Sequence, residues 1–303
     1  MPVASPAGPD HETTHWGIRF ARRTLSVQSE STWLNERIPR LYGVHCDRLG
    51  SRSTREPPDI VCEHVVPASL ALRLGCTFGR ARIFPNAQEA LTPLREQVQA
   101  ALVRDEAQAL MFHAAALERN GKVFLFPAAS GSGKTTLAAW LIGHGYRLLS
   151  DELATIDSAG SVSGFCQAMN VKTEGIPVVV GWPWLASAIQ DSLATPRGLL
   201  LPWCDHTDAQ AGPITHLVFP GYEPGAAFSA EPMSAARAAA GLLACLLNAR
   251  NLPRSGLHAV ADVCRRVPAT RLHFSRLQEV VDWLDQHTTG PHSSRSTMQC
   301  QSA

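Results

Sequence analysis

Residues Pro127 to Thr136 read PAASGSGKTT, one glycine short of the phosphate-binding pattern G-x-x-x-x-G-K-[ST], because Ala128 stands where the first glycine belongs. The rest of the pattern is intact. Gly131 and Gly133 occupy the positions where a backbone approaches phosphate most closely. Lys134 supplies a compact ammonium for the β- and γ-phosphates, and Thr135 a hydroxyl for Mg²⁺. Ala128 lies at the loop entrance, where an extra methyl group is tolerated provided φ is negative. With Ser130, Ser132 and Thr136 these residues form a run, 128–136, expected to wrap the triphosphate of ATP. Lysine is itself a signal here, since only Lys122, Lys134 and Lys172 are lysines among 27 basic residues. Wherever a basic residue merely solubilises, this chain uses arginine.

The loop needs a strand before it and a helix after it. KVFLFPA reads as a buried strand, and GKTTLAAWLIGHG as a helix ended by Gly143 or Gly145. From Thr136 to His144 such a helix travels about 13 Å, and a strand from Tyr146 to Ser150 returns about 16 Å. Asp151 and Glu152 are therefore expected at the level of the phosphates, at the carboxyl edge of the sheet. An adjacent pair of acids can divide the work, one holding Mg²⁺ and the other taking a proton from an attacking hydroxyl. SDE also reads as a solvated acidic turn. Upstream, an Asn120-Gly121 turn pairs Arg119 with Lys122 and so sets His113 opposite Ala128, at the mouth of the loop. A half-buried histidine bonded to backbone is the competing reading.

The wider chain supports a globular protein of 303 residues, 45% hydrophobic and 17% charged, with a formal charge of +1 that excludes a global field for nucleic acid. No run of about 20 apolar residues suggests a membrane span, and the N-terminus lacks the layout of a signal peptide, so the sequence reads as cytoplasmic. The eight cysteines form no C-x-x-C pair and read as reduced thiols.

Residues 1–14 and 288–303 are polar, small and without periodicity, and are expected to be disordered ends. Between 15 and 104 lies a small α+β domain. Its strands are expected in WGIRFARRTLSVQS, DIVCEHV, LALRLGCTF and ARIFP. Helices are expected in STWLNERIPRLYG, capped by Ser31 or Thr32, and in NAQEALTPLREQVQAALVRDEAQ, with Pro93 near its start. Residues 105–287 follow α/β grammar: a strand, the Asn-Gly turn, a strand, the glycine loop, a helix and a strand. A further strand is expected in ITHLVFPGYEPGA, helices in SAARAAAGLLACLLNAR and GLHAVADVCRRV, and a closing strand and helix in ATRLHFSRLQEVVDWLDQH. The tryptophans of GWPWLASA read as cover for a core edge. Asn248, Arg250 and Arg254 fall in a break between helices where an arginine can stabilise transferred charge.

The stretch FHAAALERNGKVFLFPAASGSGKTTLAAWLIGHGYRLLSDELATID resembles the core of the bacterial HPr kinase/phosphorylase family, and more closely its shortened relatives, which include kinases of lasso peptides. The resemblance implies an α/β fold with a P-loop kinase core similar to HPr kinase and phosphoenolpyruvate carboxykinase. It implies ATP and Mg²⁺, a peptide or small-protein acceptor with a serine, and a homo-oligomer. By position it implies that Asp151 is the general base, that Glu152 and Thr135 hold the metal, and that Lys134 binds phosphate beside His113. The family's glycine-rich second signature has no counterpart. AMNVKTEGIPVV stands there instead, which argues against phosphorylase activity. Lys172 in that stretch reads either as a nucleotide or acceptor contact or as an exposed strand end. Two other readings share the loop: a small-molecule kinase of shikimate-kinase type, and a sensor or scaffold that binds ATP without chemistry.

Overall fold

The computed structural model describes residues 13–50, 57–66, 69–128, 132–202 and 210–288. The expected disordered ends fall almost wholly outside these residues, as do Ser130 and Gly131 of the loop. Thr14 and Thr288, assigned to those ends, are ordered elements instead. Thr14 pairs with Ser29, and Thr288 Oγ1 donates to the Asp285 carbonyl at the close of a helix.

β1 (Thr14–Phe20) and β2 (Arg23–Ser29) form a hairpin whose alternation buries Ile18, Phe20, Leu25 and Val27. The stretch expected as one helix is two, α1 (Thr32–Asn35) and α2 (Ile38–Tyr42). Pro39 has no N–H to carry the ladder across the junction, and Ser31 caps α1 through the Leu34 amide. β3 (Cys46–Arg48), β4 (Ile60–His64), β5 (Leu72–Cys76) and β6 (Arg82–Phe84) complete a sheet ordered β3-β1-β2-β4-β5-β6. Its apolar face is covered by α3 (Ala87–Arg104), capped by Asn86, which accepts from the Glu89 amide at 2.9 Å. Pro93 sits well inside this helix.

β7 (Leu110–Arg119) and β8 (Lys122–Pro127) meet at Asn120 and Gly121, both with positive φ, in the expected register from Arg119↔Lys122 to Ala114↔Pro127. After the loop come α4 (Lys134–Gly143), β9 (Arg147–Ser150), β10 (Leu153–Ile156) and β11 (Ser161–Gly164). β12 (Met169–Lys172), α5 (Ile176–Val179), α6 (Ala186–Gln190), β13 (Leu193–Thr195) and β14 (Gly198–Leu201) build a small sheet with two short helices. β15 (Gln210–Tyr222), β16 (Ser229–Pro232), α7 (Ala235–Leu243), α8 (Leu257–Arg266), β17 (Ala269–Phe274) and α9 (Leu277–Thr288) finish the chain.

The fold is mixed α/β. Its larger sheet runs β11-β10-β7-β8-β15-β17-β16, with β9 also on β7 and β11 also paired to β15. β8, β15 and β17 are mutually parallel, so their carboxyl ends share one edge.

β7 sorts the core by side-chain parity. Phe112, Ala114 and Ala116 pack toward α7 and α8, whereas Ala115 and Leu117 pack toward α4 and α9. Met111, on the α4 side but nearer the start of the strand, belongs to the core of the N-terminal sheet, which Leu153, Phe165 and Leu200 also join. The two halves of the chain therefore share apolar packing across residue 105.

Candidate functional site

β8 delivers the chain to the edge of the sheet at Ala128, whose φ is not positive, so its methyl group is accommodated as expected. Gly133 caps α4 in the left-handed conformation (φ 83°), the one loop position among the described residues that demands glycine. Lys134, at the first turn of α4, is only 6% exposed. Its Nζ donates to the Ala128 carbonyl at 2.6 Å and lies 3.2 Å from His113 Nε2, which must accept because an ammonium only donates. Burial first, and Lys134 second, push the His113 pKa down, while the carboxylate and backbone of Glu152 pull it up. Burial also lowers the Lys134 pKa against the opposing pull of Glu152 and Asp151. The contact with Lys134 and the lowered pKa both favour the neutral form of His113.

β9 returns the chain to the same edge and places Asp151, 3% exposed, against α4. Thr135 Oγ1 donates to Asp151 Oδ2 at 3.2 Å. Asp151 Oδ1 is buried with no partner among the described residues, and so are Ser132 Oγ and Asn170 Oδ1 nearby. Burial, and then the charge of Glu152, raise the Asp151 pKa from its ordinary 3.8 to about 7.

Glu152 is held from the side of the N-terminal half. Its Oε2 accepts from Arg95 of α3 at 3.3 Å and from Gln167 at 3.4 Å, and Arg95 also donates to the Ala168 carbonyl at 3.0 Å. The N-terminal half thus reaches into the site through one buried arginine.

A cavity of about 950 Å³ joins these groups. Asn170, Lys172, Val178 and Trp182 line it, as do Tyr222 and residues 274–278. His113, Gly133, Lys134, Thr135, Thr136, Asp151 and Glu152 line the same space. Two of the three lysines therefore face one space. Trp182 does pack a core edge, with its ring 5.0 Å from Trp140 and 5.4 Å from Trp184, yet Trp140 and Trp182 also rim the cavity.

A comparison with known protein families and with curated proteins finds no match. The site must be read from its own geometry.

Of the residues in the helix break, Asn248 is structural. Its amide donates to the Glu106 and Ala109 carbonyls and its Oδ1 accepts from the Met111 amide, fastening the start of β7. Arg254 bonds His258 and lines neither this cavity nor the one next to it, whereas Arg250 lines the second. Sequence reasoning missed Arg95, although a signal existed. It sits on the helical stripe Leu91, Leu94, Val98, Leu102, where a lone arginine among apolar residues needs a buried partner.

Proposed function

We propose that this chain is an ATP-dependent kinase with a P-loop core of the HPr-kinase kind, transferring the γ-phosphoryl group to a serine hydroxyl of a peptide or small protein. One observation carries the reading: Lys134, Thr135 and Asp151 meet at a single cavity in which a buried carboxylate oxygen has no partner among the described residues. α4 begins at Lys134, so the positive end of its dipole lies at that point, which suits phosphate.

On binding, the Lys134 ammonium exchanges the Ala128 carbonyl for phosphate oxygens. The oxygen donors suit a hard cation: Thr135 and Glu152, which both line the cavity, would hold Mg²⁺, leaving Asp151 to take a proton. The metal, when bound, neutralises charge that develops on the transferring group. The acceptor oxygen then bonds to the γ-phosphorus as the bond to the β–γ bridging oxygen breaks. The hydroxyl proton passes to Asp151, and ADP leaves. A pKa near 7 suits a base that must take that proton at neutral pH. The base of the nucleotide fits the end of the cavity where Tyr222, 55% exposed, stands 5.9 Å from the Phe274 ring.

The rival of shikimate-kinase type leaves Arg95 and its N-terminal domain without a task at the site. The test is transfer of labelled γ-phosphate by purified protein to serine peptides and to small hydroxyl compounds. Asp151→Asn should cost a factor of about 10² to 10⁴. Unchanged transfer by that variant removes the base, and tight ATP binding without turnover favours a sensor.

A further inference from the structure

A second cavity, of about 760 Å³, lies on the other side of His113 and Glu152. These two are the only described residues that line both spaces. The second is walled by α3 through Gln99, Ala100 and Val103, by Phe78, and by Leu247 and Arg250 of the helix break. Its placement follows from β7. Along the face of that strand turned toward α4, Leu117 and Ala115 belong to the α4 core, His113 meets Lys134, and Met111 enters the N-terminal core. The phosphate loop therefore ends at a seam, with the triphosphate cavity on one side and the N-terminal domain on the other.

We infer that this second cavity is the acceptor groove, and that it takes an extended serine-bearing peptide whose hydroxyl reaches the γ-phosphate between His113 and Glu152. The inference rests on the kinase reading above. Phosphoryl transfer needs the attacking oxygen opposite the leaving diphosphate. The two cavities share His113 and Glu152 among the described residues, so an attacking oxygen carried in the second meets the first there.

Three features select a peptide over a compact molecule. The α3 wall uses residues 96, 99, 100, 103 and 104, one stripe over two helical turns, about 12 Å, the span of three or four extended residues. The walls mix apolar surface with both signs of charge, as a peptide's side chains and backbone dipoles require. Glu96 pairs with Arg197, and Arg104 with Asp105, whereas Arg250 is exposed and makes no ion pair with any described residue. That free guanidinium selects an acidic residue beside the serine.

Ala100 and Leu247 are exposed, line the second cavity from different segments and touch none of the triphosphate cavity, so Ala100→Trp and Leu247→Trp each fill the groove alone. The probes are labelled ATP with no acceptor, a pool of short peptides with one fixed serine and randomised flanks, and N-acetylserine amide. Both variants should keep wild-type ATP affinity and slow ATP hydrolysis, which also shows that they are folded, while phosphorylation of the pool falls about 100-fold. The wild type should enrich acidic flanks, and Arg250→Glu should reverse that preference. Wild-type phosphorylation by either filled variant overturns the groove, and N-acetylserine amide used as well as the pool overturns the peptide. An unchanged flank preference in Arg250→Glu overturns the charge recognition. A wild type that hydrolyses ATP yet modifies nothing in the pool also refutes the groove. A wild type that neither hydrolyses nor transfers refutes the underlying kinase instead.

Discussion

Replacing Asp151 by asparagine should make the protein more stable as it makes it inactive, and the gain should depend on pH. Asp151 is nearly fully buried, beside Glu152, with one oxygen unpartnered among the described residues, and burial followed by Glu152 raises its pKa from 3.8 to about 7. With the folded pKa above the unfolded one, the folded state keeps a proton that the unfolded chain releases. The contribution to stability is complete below the unfolded pKa and is lost as pH rises through the folded value. At about 1.4 kcal/mol per pH unit, the wild type sheds on the order of 4 kcal/mol between about pH 4 and pH 8. Asparagine has nothing to ionise, and its amide oxygen can still accept from Thr135. At about 2 °C per kcal/mol for a long chain, the Tm of Asp151→Asn minus that of the wild type should grow by on the order of 8 °C over that range. Calorimetric melts of both proteins, free of nucleotide and across matched buffers, measure this difference directly. Adding Mg²⁺ with a non-hydrolysable triphosphate should shrink it at high pH, because a bound cation compensates the wild-type carboxylate. Parallel Tm curves for the two proteins would refute the claim that Asp151 is a buried carboxylate waiting for positive charge.

Four further outcomes are expected. Lys134→Ala removes a charge-assisted phosphate contact, and triphosphate affinity measured by calorimetry should fall by about 2 kcal/mol, some thirtyfold. Tyr222→Ala should weaken ATP but leave inorganic tripolyphosphate unaffected, since the ring is expected to meet the base alone; equal losses would move the base elsewhere. Arg95→Met should raise the acid limb of the pH profile for kcat/KM, because Arg95 lowers the Asp151 pKa, and Arg95→Lys should restore part of it. A loss of Tm without movement of that limb would make Arg95 merely structural. Gly143→Ala should cost about 1–3 kcal/mol, read as a lower denaturant midpoint, because a Cβ there would sit 2.2 Å from the Trp184 ring.

The local part of the site was legible because it is built from neighbours in sequence. The loop, its strand and helix, and the hairpin that brings His113 to Lys134 follow from short-range rules of turn and register. The return of Asp151 to the phosphate level followed from element lengths alone. What was not legible depends on distant packing. The small sheet of β12, β13 and β14 carries Asn170 and Lys172 to the cavity, yet its strands are three or four residues long and leave little periodic signal. Glu152 turns toward Arg95 because α3, 57 residues upstream, lies across the seam, a contact no spacing rule reaches.

That contact also bears on what the N-terminal sheet does for the proposed site. Arg95 is almost fully buried and binds both Glu152 and the Ala168 carbonyl, so displacing α3 would strand an uncompensated charge beside the base. The same helix, one turn further on, presents Gln99, Ala100 and Val103 to the second cavity. Whatever presses on that wall of α3 acts on the helix that holds Glu152, and through it on the charge beside Asp151. An acceptor seated there would meet a base whose readiness depends on the position of the same helix, which ties recognition of the acceptor to proton transfer without a separate moving part.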